Sequence, residues 1–135
     1  LSWPMPTTTA FLIDSDGREV HNWTAPGGHR PALSAYLLDD GSLLRTANIA
    51  QTAIGDFSGG GTGGKVERIA WDGSLMWSYE YSSTTYISHH DIEPLPNGNI
   101  LMIAWEAKTD AEGEQEWVRE KNSPVPPAAN NTVAP

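Results

Sequence analysis

The stretch with the most evident chemical potential is the tripeptide His89-His90-Asp91, which follows a polar loop and precedes a predicted strand. Two adjacent imidazoles and a carboxylate can supply a metal ligand, a general acid or base, or a nucleophile. Because neighbouring side chains on a strand point to opposite faces, we expect only one of the two histidines to face a given site. The alternative is that both lie where a loop enters a strand and hydrogen-bond to backbone carbonyls. His90 and His89 are the candidate catalytic residues.

A second candidate is the dipeptide His29-Arg30, in a loop framed by proline and glycine. A guanidinium beside an imidazole suits a sulfate or phosphate oxyanion, which makes both residues candidates for substrate binding. The alternative is an exposed basic dipeptide in a flexible loop.

Two further motifs resemble known sites without matching them. Residues 59–65 (GGGTGGK) evoke a phosphate-binding loop, but the spacing differs and a β-strand is predicted to follow where a helix is needed. The glycines instead predict a close approach of the backbone. Residues 14–17 (DSDG) resemble the start of a calcium loop without its downstream acidic ligands, so they predict a turn. We therefore predict no metal site and no cofactor.

Four turn dipeptides divide the sequence at nearly regular intervals. The first and third intervals between them are almost equal, and the second is longer: Asp16-Gly17, Asp40-Gly41, Asp72-Gly73 and Asn97-Gly98. Each dipeptide stands between two short apolar or alternating runs, the pattern of a two-residue hairpin turn in which Gly, Asn and Asp adopt a positive φ. The sequence therefore predicts four β-hairpins arranged as a repeat.

The hairpins group into two matching units of about 57 residues. The predicted strands lie at 10–14, 18–23, 33–38 and 42–48 in unit one, and at 66–71, 74–79, 91–95 and 99–105 in unit two. Four antiparallel strands repeated at this length favour a β-propeller, and an eight-stranded β-sandwich is the alternative. We therefore expect an all-β fold with two four-stranded antiparallel propeller blades. Two blades cannot close a ring, which needs about four to eight.

The units also set the predicted domains, which are blade one with an N-terminal segment at 1–58, blade two at 59–109 and a tail at 110–135. Residues 110–121 are polar and acidic, and we expect a short helix or an exposed loop there. Residues 122–135 contain four prolines and are expected to be irregular, or to lie along the sheet edge of a neighbouring subunit.

The repeat places polar residues in one unit where the other is apolar. His89 and His90 align with Ala32 and Leu33, a difference typical of a site added to one copy of a repeated element. Tryptophans on the predicted strands are expected to pack between blades, with an aromatic platform for a phenolic ligand as the alternative: Trp23, Trp71, Trp77 and Trp105. His21 is expected at the surface or between blades.

Composition excludes several classes of function. Seventeen acidic residues against eight basic ones give a net charge of −9, which argues against binding to nucleic acid or to an anionic membrane surface. No apolar run approaches the roughly 20 residues of a membrane span. The chain has no cysteine, which excludes disulfides, thiolate zinc sites and cysteine nucleophiles.

Two features point to export. The chain begins at Leu1 without a basic-then-apolar leader, which indicates either a removed signal segment or an excised fragment. Sequons make Asn22 and Asn130 candidate glycosylation sites. We expect a secreted, extracellular or periplasmic protein.

Much of the chain resembles the N-terminal blades of the arylsulfotransferase family. The resemblance covers 7–48 and 59–108, about two thirds of the sequence, and its most specific pieces are 64–73 (GKVERIAWDG) and 89–99 (HHDIEPLPNGN). It implies a six-bladed propeller that transfers a sulfuryl group from an aryl sulfate to a phenol without a nucleotide donor. The family reaction is ping-pong through a sulfated histidine, with other histidines and an arginine around a central channel.

By this resemblance His90, with His89 as its partner, matches a channel-lining histidine in a supporting role. The family's nucleophile and arginine belong to later blades, and no residue of this sequence matches them. After Lys108 the chain departs from the family, because the tail stands where further blades would follow. The resemblance therefore implies an enzyme fragment or subunit that is active when a full ring is present.

Two functions from different classes remain open. The chain is either such a sulfotransferase component, or a non-catalytic extracellular protein that assembles into rings or filaments through its blades. Truncation to two blades leaves open strand edges, so a homo-oligomer or polymer is expected in either case. Three copies would make six blades, and a contact that does not close would make a filament.

Overall fold

The computed structural model describes residues 1–2, 7–50 and 53–108, and this part of the chain is all-β, as predicted. Its ten strands pair antiparallel: β1 (Thr9–Ile13), β2 (Glu19–Thr24), β3 (Arg30–Leu37), β4 (Leu43–Asn48), β5 (Ala53–Ile54), β6 (Phe57–Ser58), β7 (Gly64–Ile69), β8 (Leu75–Glu80), β9 (Tyr86–Pro94) and β10 (Ile100–Glu106). Within the described ranges, no helix has the length and apolar character needed to cross a membrane. The predicted tail at 110–135 lies outside the described residues.

All four predicted hairpins form, but their turns are one residue longer than expected. In the β3–β4 turn, the amide of Leu38 donates to the carbonyl of Ser42, and the amide of Gly41 donates back to the carbonyl of Leu38. This pattern encloses three residues and places Gly41 at φ +81°. Asp40 does not share the positive φ; its Oδ1 instead accepts from the amide of Ser42 at 3.0 Å. The dipeptides therefore mark the turns for a partly different reason, since only glycine supplies the left-handed backbone.

Equivalent hairpins share one register. Every residue pair of β3–β4 recurs in β9–β10 with both residue numbers raised by 57. For example, Arg30 opposite Asn48 corresponds to Ile87 opposite Trp105. The β1–β2 pairs recur in β7–β8 with both numbers raised by 56, and the irregularity before the turn falls at the same place. This agreement is what the predicted repeat requires.

The hairpins combine differently from the predicted grouping. A four-stranded meander joins β3, β4, β7 and β8, whereas β1–β2 and β9–β10 remain two-stranded and β5–β6 forms a small insertion. The meander thus takes the second hairpin of predicted unit one and the first of unit two. Non-local pairing of β4 with β7 decides this, and the local turn signals do not report it. The division into domains at 58/59 and 109/110 stays a prediction.

The two outer hairpins cover opposite faces of the meander. On one face, Ala10 and Trp23 of the first hairpin pack with buried Leu43 and Ile69. On the other face, Ile92 of the last hairpin packs with Leu44 and Val66, and partly buried residues surround this cluster: Tyr36, Leu38, Trp77, Ile100 and Met102. The result is a three-layer arrangement of sheets in which β3 and β9, the first strands of their hairpins, lie next to each other.

A buried ion pair lies inside the meander. Arg45 and Glu67 stand opposite each other on β4 and β7, with side chains 0% and 1% exposed. The guanidinium donates from Nε and Nη2 to Oε2 of Glu67 at 3.1 and 2.7 Å, and from Nη2 to the carbonyl of His29 at 3.0 Å. Lys65 approaches Oε1 of Glu67 to 3.7 Å. The equivalent positions in the outer hairpins are apolar, Met102 and Phe11.

Candidate functional site: a histidine pair on a strand bulge

The histidine pair lies on a bulge of β9. Between the pairs Met102–Ile92 and Ala104–Ser88, one residue of β10 stands opposite three residues of β9, His89, His90 and Asp91. His90 has a φ of +55°, an uncommon conformation for a residue with a side chain. Bulges of this kind re-aim side chains, and strained backbone concentrates at functional sites.

The bulge brings both imidazoles to one place. Nδ1 of His89 lies 2.8 Å from Nδ1 of His90, and the two ring planes are perpendicular. The expectation that only one histidine could face the site is therefore wrong, because the left-handed turn at His90 breaks the strand alternation on which it was based. Within the described residues, neither imidazole hydrogen-bonds to a backbone carbonyl, so the alternative of two carbonyl-bound loop histidines does not apply either.

An aromatic wall backs the pair. The ring of His89 stacks on Trp105 of β10, with centroids 4.1 Å apart and planes 18° from parallel. The ring of Phe57, from the β5–β6 insertion, packs edge to face with the Trp105 indole, with ring centroids 5.0 Å apart. Trp105 therefore packs against His89 and Phe57 at the candidate site, and a role as an aromatic platform for a ligand stays a prediction.

The glycine-rich segment passes close over the same side chains, as predicted. A Cβ at Gly61 would lie 2.5 Å from the His90 ring, and one at Gly59 would overlap the indole of Trp105. The carbonyl of Gly61 also accepts the amide of His90 at 2.8 Å. A side chain at Gly59 or Gly61 would not fit here, which accounts for these two glycines without any phosphate-binding role.

An open groove of about 450 Å³ extends from the pair to the equivalent bulge of β3. Its walls come from β3 and β9: Leu33, Ser34, Ala35, Tyr36, His90 and Asp91. The hydroxyl of Tyr36 donates to Oδ1 of Asp91 at 3.0 Å and ties the two strands together. Desolvation, together with this hydrogen bond, raises the pKa of Tyr36, so the phenol keeps its proton.

The two imidazoles are joined by one hydrogen bond between their Nδ1 atoms. Partial burial, followed by the neighbouring charge of His90, lowers the pKa of His89. In a hydrogen bond between two Nδ1 atoms, one ring must donate and the other accept. When both rings are neutral, the donor ring carries a free lone pair on Nε2, and the acceptor ring carries an N–H there. The pair therefore offers one base or nucleophile and one hydrogen-bond donor at once.

His29 and Arg30 belong to a different environment. Nδ1 of His29 lies 3.4 Å from the buried carboxylate of Glu67, while Arg30 is an exposed residue at the start of β3. Among the described residues, no hydrogen bond, ion pair or ring contact joins either of them to His89 or His90. Their role in substrate binding stays a prediction.

The remaining candidates lie on other surfaces. Asn22 is exposed on β2, where its amide donates to Glu19 at 2.7 Å, and Asn130 is outside the described residues. His21 stacks on Trp71 at 3.9 Å and contacts its carbonyl at 2.7 Å, which joins the first hairpin to the meander. Within the described chain, no group of three or more histidine, aspartate or glutamate side chains is arranged to hold a metal ion.

Sequence reasoning missed the contributions of Phe57 and Tyr36 to this site. A signal for the first existed, because the second interval between turn dipeptides is longer than the first and the third. The extra residues form the insertion that contacts Trp105. No local pattern marked Tyr36, whose contact with Asp91 joins strands far apart in the sequence.

No protein-family model, curated protein or solved structure matches the chain.

Proposed function

We propose that this chain is part of a β-propeller and that the meander of β3, β4, β7 and β8 is one blade. In this arrangement β1–β2 is the outer half of the preceding blade, and β9–β10 is the inner half of the following one. The hairpin registers that recur with numbers raised by 56 and 57 support this proposal, as do the two hairpins packed on opposite faces of the meander. The inner strands β3 and β9 then line the channel of a six-bladed ring.

The function best supported by the site is sulfuryl transfer from an aryl sulfate to a phenol, in an exported protein. The observation that carries it is the hydrogen-bonded His89–His90 pair, held on a strained bulge beside an aromatic wall and an open groove. An aryl ring can lie in the groove beside Leu33 and Tyr36 while an imidazole N–H of the pair donates to the sulfuryl oxygens. A donor placed where charge develops lowers the barrier to transfer.

In the first step of this reaction, the sulfur–oxygen bond to the donor phenol breaks as a bond from sulfur to a histidine nitrogen forms. In the second step, that sulfur–nitrogen bond breaks as sulfur bonds to the oxygen of the acceptor phenol. The leaving phenolate takes up a proton, and the incoming phenol gives one up. A singly protonated histidine pair can donate a proton to the leaving phenolate in the first step and take one back from the incoming phenol in the second, so the pair is neutral between the steps. Because no residue of this sequence matches the family's nucleophile, a ring built from copies of this chain would use a histidine of the pair on one of its copies as the nucleophile.

The experiment measures release of the phenol from a chromogenic aryl sulfate, with a second phenol as acceptor, using the assembled protein. We expect His90→Ala and His89→Gln each to lower kcat/KM by about 10²–10³-fold, the usual cost of a lost transition-state donor. His21→Gln is the matched control, because it removes an imidazole outside the groove. Absence of transfer by the assembled wild-type protein, or full activity of His90→Ala, would refute the proposed chemistry.

A second candidate is a non-catalytic extracellular protein that assembles through its blades. It is favoured by the two-stranded hairpins at both ends of the described chain, each of which is half of a four-stranded sheet. Under this function the histidine substitutions leave the assembly unchanged.

A further inference from the structure

We propose that a second copy of this chain lays its β1 along β10 of the first, and so completes a four-stranded sheet between the two molecules. The pairing reproduces the β4–β7 junction of the meander. It rests on the blade arrangement proposed above and is independent of sulfuryl transfer.

Each of the two strands has one edge along which no other strand of the described chain is paired. In the described part of the chain, β10 pairs only with β9, and β1 pairs with β2 and makes one bridge to Ser2 at Phe11. Neither strand carries a charged residue from Ile100 to Trp105 or from Thr8 to Ile13. Natural edge strands that must remain unpaired commonly carry lysine, proline or inward charges. Pairing with a second copy would replace the two hydrogen bonds of the Ser2 bridge.

The internal repeat specifies the register of the junction. Raising the β4 numbers by 57 and lowering the β7 numbers by 56 gives each pair directly from the observed β4–β7 ladder. The first-copy residues of β10 and their second-copy partners on β1 are Ile100–Ile13, Leu101–Leu12, Met102–Phe11, Ile103–Ala10 and Ala104–Thr9. All but the last of these pairs are apolar on both sides.

The central pair of the proposed junction occupies the position that the buried Arg45–Glu67 ion pair has in the meander. Where Arg45 faces Glu67 within one chain, Met102 faces Phe11 between copies. Met102 already packs against the core cluster of Leu44, Val66 and Ile92, so an apolar partner beside it extends that core. Ile103 and Ile13 are 49% and 43% exposed, as expected for residues that a junction would cover.

A second set of contacts supports the same docking. Trp23 packs on Ile69 within the chain, and the equivalent contact between copies joins Tyr79 to Ile13. The second copy's first hairpin would therefore cover the β7–β8 half of the meander face that β9–β10 begins to cover. The interface is continuous with one that the chain already makes with itself.

The contact is head to tail, because it joins different strands of the two copies. Such contacts close into rings when the rotation allows and otherwise grow as filaments. Each copy holds one complete four-stranded sheet and two halves, so three copies would supply the six sheets of a ring.

The decisive experiment is disulfide trapping, which the cysteine-free chain allows without background. Ala104→Cys and Thr9→Cys are placed on separate copies and mixed under mild oxidation. Directly opposed residues of antiparallel strands lie about 4.5–5.5 Å apart at Cα, within the range of a disulfide. We expect a covalent heterodimer from this mixture. Ile100→Cys mixed with Thr9→Cys is the register control and should remain uncross-linked.

Charge substitution tests the same junction in solution. Met102→Arg and Phe11→Glu should each weaken association by on the order of 100-fold, because each leaves a charge unpaired in the junction. Mixing the two variants should restore assembly by recreating an Arg–Glu pair. Met76→Arg, at an exposed apolar position of β8 outside the junction, should assemble as the wild type does.

The proposal is overturned if the wild-type chain is monomeric by light scattering at about 100 μM, a concentration that detects weak association. It is also overturned if the register control cross-links as well as the Ala104–Thr9 pair. The trapping result does not depend on the folding of the charged variants. It also reads out strand pairing directly, so failure of the aryl-sulfate assay leaves it intact.

Discussion

Met102 and Phe11 occupy the positions in the outer hairpins that are equivalent to Arg45 and Glu67. Placing Met and Phe at positions 45 and 67 should show how much of the free energy of unfolding depends on the ion pair and how much is lost when one charge is left unpaired. The perturbation is Arg45→Met and Glu67→Phe, singly and together. Arg45 makes two hydrogen bonds to Glu67 and one to the carbonyl of His29, and both side chains are excluded from water. Removing one partner leaves a buried charge, which typically costs about 3–5 kcal/mol.

The structure ranks the two single variants. After Arg45→Met, the Glu67 carboxylate still has Lys65 at 3.7 Å and His29 at 3.4 Å, so we expect a loss of about 3 kcal/mol. After Glu67→Phe, Arg45 loses its counter-ion entirely, and its Nη1 already lacks a hydrogen-bond partner within the described structure. We expect a loss of about 5 kcal/mol there. The double variant should lie within about 1.5 kcal/mol of the wild type, because it removes both charges and keeps an apolar filling.

Urea unfolding followed by tryptophan fluorescence gives the three free energies under one set of conditions. Arg68→Met is the matched control, because Arg68 pairs with Asp40 at 2.6 Å where both side chains still reach water, 29% and 50% exposed, and a pair in contact with solvent contributes about 1 kcal/mol or less. A double variant as unstable as the sum of the two single ones would refute the reasoning. It would show that the two side chains stabilise the meander independently of each other.

Two further predictions concern the histidine pair. Gly61→Ala should lower the free energy of unfolding by about 1–3 kcal/mol and shift the NMR signals of the His90 imidazole. The reason is that Gly61 has a φ of +74° and that a Cβ there would meet the His90 ring. Gly60→Ala is the control and should change neither quantity, because the space around Gly60 is open. The lowered pKa of His89 means that the folded protein binds this proton less readily than the unfolded chain. Its contribution to stability is therefore present above pH 6.5 and is lost as the pH falls through the folded pKa. Unfolding free energies measured across this range should fall less steeply in His89→Gln, and parallel curves for the two proteins would contradict the assignment.

Local chemistry made the hairpins predictable, and long-range pairing limited the rest. Gly41 and its three counterparts mark turns because only glycine adopts the left-handed backbone there without cost. The union of β4 with β7 depends on contacts across the β5–β6 insertion, which no turn signal reports. The tripeptide at 89–91 was recognisable by residue type. Its geometry was not, since a bulge leaves no pattern that alternation can reveal.

The β5–β6 insertion has its two ends fastened together, because Asn48 pairs with Gly64 in the last step of the β4–β7 ladder. Changes of length between these residues therefore leave the sheet register untouched, and loop-closure entropy grows only slowly with length. Phe57 and Gly61, which contact Trp105 and His90, both lie inside this fastened segment. The residues between Asn48 and Gly64 can therefore be replaced by another loop, which would change the contacts to Trp105 and His90 while the register of the β4–β7 pairing stays the same.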